Sequence, residues 1–437
     1  MMNTLKSAFK LKEVRNRIFF TLFMLVLVRF GSQLPAPGVN KDFFKTLFQM
    51  GSGGTFSFFD AFTGGSFSNF SIFALNITPY ITSSIIIQLL TIAIPQLEEQ
   101  QREGPEGRKR VNQITRLLTV GLALIESTAM VIGFGRQGLI VNMNTITVVT
   151  AIATLTAGSA FIMWIGERIT EKGIGNGISI VLVINIISRI PSDLIGLYQK
   201  FVAGKAVGQM VLAAVIILVV ILLIVNFTVI LNGAVRQIPV QYTKKVAGRG
   251  QNFFIPLKVN TANVMPVIFA SSIMQFPIVI AAFAGKSEAQ GIWGQILRGL
   301  DTQKWFNFYT YPKATLGVLV YIALLIFFAY FYTSITFNPI EVADQIKKQG
   351  GYIHGVRPGK PTVDFLNQIL KYIIFIGAAG LLVIAILPLV FNGIFGAQVS
   401  FGGTSIIIIV SVILETLKQV KSLVLVQEYR GKGFLSA

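Results

Sequence analysis

The run Gly173-Ile174-Gly175-Asn176-Gly177 has the look of a glycine-rich phosphate cradle. A phosphate loop of that kind follows a strand and carries Lys-Ser/Thr after its last glycine; this run has neither. It reads instead as a tight turn into a closely packed helix. Arg29, Glu126 and Glu415 lie in or near apolar segments. An ionisable residue there is a functional candidate by default, the alternative being a side chain that snorkels to an interface. His354 is the only histidine, and cysteine is absent. Disulfides, thiolate metal sites and histidine relays are therefore excluded. No catalytic pair or triad can be assembled, so the sequence predicts no enzyme, no cofactor and no metal.

The aliphatic positions carry more. Ile77 and Ile81 are spaced i, i+4, as are Ile178 and Leu182, so each pair lines one helix face. Periodicity does not separate packing from a hydrophobic constriction. Just before the first pair, residues 55–75 interleave Phe56, Phe58, Phe59, Phe62, Phe67, Phe70 and Phe73 with Gly, Ser and Asn. Ser57 followed by Asp60 suits a helix start and Gly64-Gly65 a stop, which predicts one short helix on a loose tether. A bilayer crossing needs about 20 apolar residues, so this helix cannot span. Two readings fit: a plug beside the spanning helix that follows, or a re-entrant segment of a small-molecule transporter.

The elements that must position these residues are membrane helices. Of 437 residues, 53% are apolar and only 13% charged, and mean hydropathy is +0.69. A soluble protein carries roughly 25% charge. Lipid admits only helices or closed barrels, and long apolar runs select helices. Ten such segments are expected, at about 18–34, 76–94, 114–134, 145–165, 174–190, 207–231, 262–284, 314–336, 366–391 and 404–426. The net charge of +19 speaks first to topology and then to acidic partners such as RNA or anionic lipid. Alternate connections hold 24 Lys and Arg on one side against 10 on the other. The positive-inside rule then puts both termini in the cytoplasm, which an even number of spans requires. The basic N-terminus resembles a signal peptide, yet no small-residue cleavage site follows, so it reads as a retained first helix.

An internal repeat also emerges. Asn76-Ile77-Thr78-Pro79-Tyr80-Ile81-Thr82-Ser83-Ser84 and Asn263-Val264-Met265-Pro266-Val267-Ile268-Phe269-Ala270-Ser271 share N-x-x-P-x-I-x-[SA]-S. They open the second and seventh segments, five apart, so the two halves would sit inverted. Ile268 thereby matches Ile81. Two connections exceed what linkage needs. Residues 236–258 alternate on both sides of Gly248-Arg249-Gly250, as a hairpin would. Residues 338–361 predict a short polar helix and a Gly/Pro-rich tip bearing His354, Arg357 and Lys360. Basic tips satisfy topology on their own; they also suit docking to RNA or an acidic protein surface.

Several motifs, in order and over nearly the whole chain, resemble the SecY family of bacterial protein-conducting channels. They are Pro79-Tyr80-Ile81 through Ile85-Ile86-Ile87-Gln88-Leu89-Leu90, Gly166-Glu167-Arg168 through Gly177-Ile178-Ser179, Arg236-Gln237-Ile238-Pro239-Val240-Gln241-Tyr242, Phe337-Asn338-Pro339, Arg357-Pro358-Gly359 and Phe401-Gly402-Gly403-Thr404-Ser405. The resemblance implies an all-α polytopic membrane protein of the bacterial plasma membrane. Ten transmembrane helices would form two inverted halves, 1–206 and 207–437, around a central hourglass pore. It implies a pore ring of Ile77, Ile81, Ile178, Leu182, Ile268 and Ile408, with Leu182 departing from the isoleucine usual there. A plug over about 56–73 and a lateral gate between the second/third and seventh/eighth helices follow. Thr82, Ser83 and Gln88 would edge that gate, opposite Phe276. Loops bearing Arg236, Lys244, Lys245, Arg249, His354, Arg357 and Lys360 would dock the motor SecA and the ribosome through its RNA. SecE would clamp the halves and SecG sit peripherally, with signal sequences and nascent membrane proteins as clients. The alternatives are an accessory member of the same family dedicated to particular substrates, and an inverted-repeat secondary transporter.

Overall fold

Each apolar run expected to cross the membrane is helical in the computed structural model. The structure describes residues 9–40, 60, 62–140, 143–203, 207–242, 253–283, 291–302, 305–306, 312–395 and 403–433. Helix α1 covers Lys12–Gly31, α2 Thr78–Ala93, α3 Pro95–Arg102, α4 Pro105–Phe134, α5 Thr145–Lys172 and α6 Gly177–Leu197. Beyond them lie α7 (Val207–Gly233), β1 (Val235–Tyr242), β2 (Phe253–Lys258), α8 (Met265–Phe283) and α9 (Ile292–Leu300). The chain closes with α10 (Leu316–Thr336), α11 (Pro339–Lys348), β3 (Gly351–Ile353), α12 (Lys360–Phe395) and α13 (Gly403–Gly433).

Among the described residues, six helices are long and apolar enough to cross a membrane unaided: α4, α5, α6, α7, α10 and α12. α2 and α3 pass the same test only together, across a bend of 108°, the geometry of a broken span or of a re-entrant loop. Pro95 opens α3, and the preceding Ile94 is extended, as the residue before a proline prefers. Helices α1, α8 and α13 fill the remaining three expected segments. Exposed aliphatics such as Leu117, Ile146, Leu218 and Leu222 line the outer faces. A surface that apolar suits hydrocarbon rather than water.

The two repeat openings share their local geometry. Asn76 and Asn263 both adopt positive φ, 51° and 56°, a conformation Asn tolerates better than most residues. In the first, Thr78 N donates to Leu75 O and Ile81 N to Ile77 O; in the second, Met265 N donates to Ala262 O and Ile268 N to Val264 O. Every position is matched in register. Pro79 and Pro266 are each the second residue of their helix, where the missing N–H costs nothing.

One element departs from a purely helical expectation. β1 pairs antiparallel with β2, Val235 opposite Lys258 through Val240 opposite Phe253, which is the expected hairpin. β1 also pairs with β3, Val240 opposite Ile353 and Tyr242 opposite Gly351, giving the order β2-β1-β3. Residues 351–353 are too few to alternate visibly in the sequence. The sheet packs Ile238, Val240, Leu257 and Ile353 against Leu366 and Leu370 of α12.

Candidate functional site

The glycine run that opens α6 is a structural joint. Gly175 has φ of 78°, and a Cβ on Gly177 would run into the Gly166 carbonyl oxygen of α5. Asn176 caps α6, its Oδ1 accepting from Ile178 N and Ser179 N at 3.1 and 3.3 Å. Three further bonds seat the turn. Thr21 Oγ1 of α1 accepts from Ile174 N at 3.1 Å, Gln419 Oε1 of α13 from Gly175 N at 2.5 Å, and Thr170 Oγ1 of α5 from Gly177 N at 2.9 Å. With the N–H groups of Gly173, Ile174, Gly175 and Gly177 engaged, the run is bonded as a turn rather than as a phosphate cradle. Its rigidity fixes where Ile178 and Leu182 point.

Those two residues join one apolar cluster with the other candidate ring positions. Ile77, Leu182, Ile268 and Ile408 are buried in it, and Ile81 and Ile178 pack against it partly buried. The six positions come from α2, α6, α8 and α13 or their leading residues, within a core that α1, α5, α7, α10 and α12 also enter. No charge enters from the six positions. Phe62 belongs to the same cluster.

The phenylalanine-rich segment is more tightly held than a loose tether. Phe56, Phe58 and Phe59 lie outside the described residues. Asp60, Phe62 and Thr63 are helical, and Gly64 and Gly65 follow with φ of 65° and 86°, as the glycine pair predicts. Downstream, Ala36 N donates to Phe70 O and Ile72 N to Leu34 O, so residues 70–72 are bonded along the chain that leaves α1. Phe67 and Phe70 sit in a second cluster with Phe134 and Leu139 rather than with the six aliphatics. The Pro35-containing turn, read from sequence only as a turn, supplies that strand-like partner through a bridge to Ser71.

Sequence reasoning missed the polar face of this segment. Asp60 is fully buried, its Oδ2 lying 2.7 Å from Nη2 of Arg189 and its Oδ1 accepting from Ser68 N at 2.8 Å. Arg29, singled out as an intramembrane charge, donates from Nη1 to Gly64 O at 3.1 Å. The signal that could have found the pair was Asp60 itself, a lone acid in a segment of otherwise apolar and neutral residues.

Thr82 and Phe276, taken as facing gate edges, line one cavity of 230 Å³ with Phe62, Phe67, Ile81 and Ile268. Phe276 is 58% exposed. Ser83 and Gln88 do not line it. Ser83 is buried and donates to Pro79 O at 2.7 Å, and Gln88 donates to Ser84 Oγ at 3.4 Å. Thr82 likewise donates to Thr78 O at 3.1 Å. These hydroxyls satisfy their own helix backbone, a habit of Ser and Thr in apolar surroundings. The cavity's other polar lining residues are Thr78 of α2, Glu126 of α4, and Ser272 and Gln275 of α8. The last two were not anticipated.

Among the docking candidates, Arg236, His354, Arg357 and Lys360 are exposed; Lys244, Lys245 and Arg249 lie outside the described residues. Gly355 and Gly359 flank Arg357 with φ of 80° and 104°. Thr362 Oγ1 donates to Arg357 O at 2.8 Å, so the tip's backbone is held while its guanidinium stays outside.

A sequence model of the SecY family matches residues 71–417. The chain belongs to the SecY family. Relatives named protein translocase subunit SecY include one from Bacillus licheniformis, 42% identical over 99% of both chains, and one from Corynebacterium glutamicum, 40% identical over 98% of this chain and 99% of that one. A solved protein-conducting channel shares the fold with a TM-score of 0.62 over 93% of this chain and 91% of its own, at 16% identity. The channel of a canine ribosome-channel complex from the endoplasmic reticulum gives 0.60 over the same shares. SecY is a channel subunit of a translocase and not an enzyme in itself, and the role of this multi-pass membrane chain is that of a protein-conducting channel.

Proposed function

We propose that this SecY chain passes unfolded secretory proteins across the bacterial plasma membrane and releases transmembrane segments sideways into lipid. Ten spans form two inverted halves, 1–206 and 207–437, with both termini cytoplasmic. The matched Asn-x-x-Pro openings of α2 and α8 support that division. Ile77, Ile81, Ile178, Leu182, Ile268 and Ile408 form the constriction, and the segment from about 56 to 73 plugs it. The carrying observation is that these six aliphatics, drawn from distant parts of the chain, share one apolar cluster with Phe62.

The chemistry fits the task. A polypeptide channel must pass varied side chains without leaking ions. Aliphatic side chains resist wetting, so their ring gates without fixed charge. They also offer no hydrogen bond that would retain a client. A signal sequence is an apolar helix and leaves through a seam between α2/α4 and α8/α10, where Thr82 and Phe276 line a common cavity. Energy comes from outside the channel, through SecA's ATP hydrolysis or ribosomal elongation. The exposed cations Arg236, His354, Arg357 and Lys360 belong to the docking face, together with the tip at 243–252. SecE braces the halves and SecG lies at the periphery.

Reconstitution with SecE and SecA in vesicles tests the reading. A signal-bearing preprotein is expected to become protease-protected on addition of ATP. A channel that assembles with both partners yet protects nothing overturns it. Uptake of a small solute without preprotein transport would favour the transporter alternative.

A further inference from the structure

The plug segment has two faces of opposite character. Phe62 and Phe67 turn toward the cavity that Ile81 and Ile268 line. Its other face is polar and rests on α6 and the last turn of α1. On α6, Asn185, Ser188 and Arg189 are spaced i, i+3, i+4 and so share one side of the helix. A Cβ on Gly64 would lie 2.8 Å from the Asn185 Cα, so the plug's turn sits directly on that helix. Ser188 Oγ and Arg29 Nη1 both donate to Gly64 O, at 3.4 and 3.1 Å. Gly64 ends the plug's helical turns, where unpaired carbonyls favour cations and donors. Asp60, four residues before Gly64, meets Arg189 at 2.7 Å.

Resting on the plug reading above, we infer that Arg29 and Arg189 form a latch that clasps the plug by the Asp60 carboxylate and the Gly64 carbonyl. Two consequences follow from the geometry. A buried ion pair costs much to separate, because parting it strands a desolvated charge. Asp60 is fully buried and the Arg189 side chain is 25% exposed, so release strands the carboxylate unless water or a client replaces the guanidinium. The latch itself runs to α1 and α6, and a further bond, from Asn76 Nδ2 in the lead-in to α2 to Thr63 O at 3.3 Å, ties the plug to the same half. Parting α2 and α4 from α8 breaks none of these bonds, so opening the seam and releasing the plug are separate steps. Apolar contact alone, the ordinary account of a plug in an aliphatic ring, would let the two happen together.

The experiment uses the full chain reconstituted with SecE, in planar bilayers and in vesicles. Ser66 is fully buried with a hydroxyl that has no partner, and the chain has no cysteine. Ser66→Cys therefore reports plug release through labelling by a membrane-impermeant maleimide. Asp60→Asn and Arg189→Gln, each combined with Ser66→Cys, are expected to raise resting conductance and the labelling rate at position 66 about tenfold or more. Arg189→Lys, which keeps the charge, is expected to stay nearer the native values than Arg189→Gln. A deletion of 60–66 separates this inference from the plug reading beneath it. If the deletion leaks and the latch variants do not, the latch is wrong and the plug stands. If the deletion itself conducts no more than the native channel, the plug reading fails and the latch with it. Should Asp60→Asn not accumulate, the Arg189→Gln and Arg189→Lys comparison decides. Equal leak from those two would assign Arg189 a packing role and overturn the inference.

Discussion

An aliphatic seal works through what its side chains withhold. Ile408 is 1% exposed and Ile268 6%, and both stand in the cluster that gathers the six ring candidates. Ile408→Asn or Ile268→Asn places an amide within this apolar core. The unpaired group favours a wetted state by about 1–3 kcal/mol. Such channels are expected to leak ions at rest and to accept preproteins with defective signal sequences. Single-channel recording and a signal-stringency assay check this, and native values in both would remove these residues from the ring. The same residues mark how far sequence reaches at this scale. Ile77, Ile81 and Ile268 were picked through the Asn-x-x-Pro openings, and Ile178 and Leu182 through the glycine turn, with the ring itself implied by the family resemblance. The structure brings all five to one apolar core. Asp60 and Arg189 were not legible, because their pairing depends on how the plug lies against α6, and no periodicity encodes that. Ser83 and Gln88 show the converse limit. Their polarity suggested a seam, but a serine hydroxyl can bond the carbonyl four residues back and so reveal nothing about its surroundings.

The two loops proposed for docking form one element because β1 is shared. Val240 pairs with Phe253 on one side and Ile353 on the other, so the hairpin and the tip beyond α11 form one small sheet. Ile353 is 3% exposed within the cluster that seats the sheet on α12. Ile353→Asp buries a charge without a partner and is expected to cost about 2–3 kcal/mol of local stability. Hydrogen exchange should then quicken in 235–242 as well as in 351–353. Faster exchange in 351–353 alone would mean that the two loops are independent. Arg357 belongs to the same element but points outward from a held backbone. Arg357→Glu turns attraction to an acidic or phosphate surface into repulsion. ATP-driven transport is expected to collapse while membrane level and SecE association persist; loss of the protein itself would instead give Arg357 a folding role. The hairpin was visible in alternating residues around glycine. The third strand was not, since three residues carry no pattern and their partner lies far away in sequence.

At the scale of the whole molecule, the question is whether clients leave through the seam between α2/α4 and α8. Composition and charge alone made the helical membrane architecture legible, because lipid permits so few alternatives. The seam was expected from the family resemblance, and helix phase chose its edges: Thr82 follows Ile81 by one position, about 100° round α2, and Phe276 lies eight residues beyond Ile268. Both side chains line the 230 Å³ cavity. A disulfide needs Cα atoms within about 7 Å, so a bond between cysteines at these positions reports that the cavity has closed. The chain's lack of cysteine makes the background clean. A Thr82→Cys, Phe276→Cys channel is expected to oxidise in the resting state and, once oxidised, to refuse signal-bearing preproteins. Reduction should restore transport. Because the proposed latch on the plug runs to α1 and α6, the oxidised channel is also expected to keep its resting seal unchanged. Efficient oxidation with undiminished preprotein transport would mean that clients do not use this seam. If the pair never forms, α2 and α8 do not close on each other at this height, and the gate lies elsewhere along them.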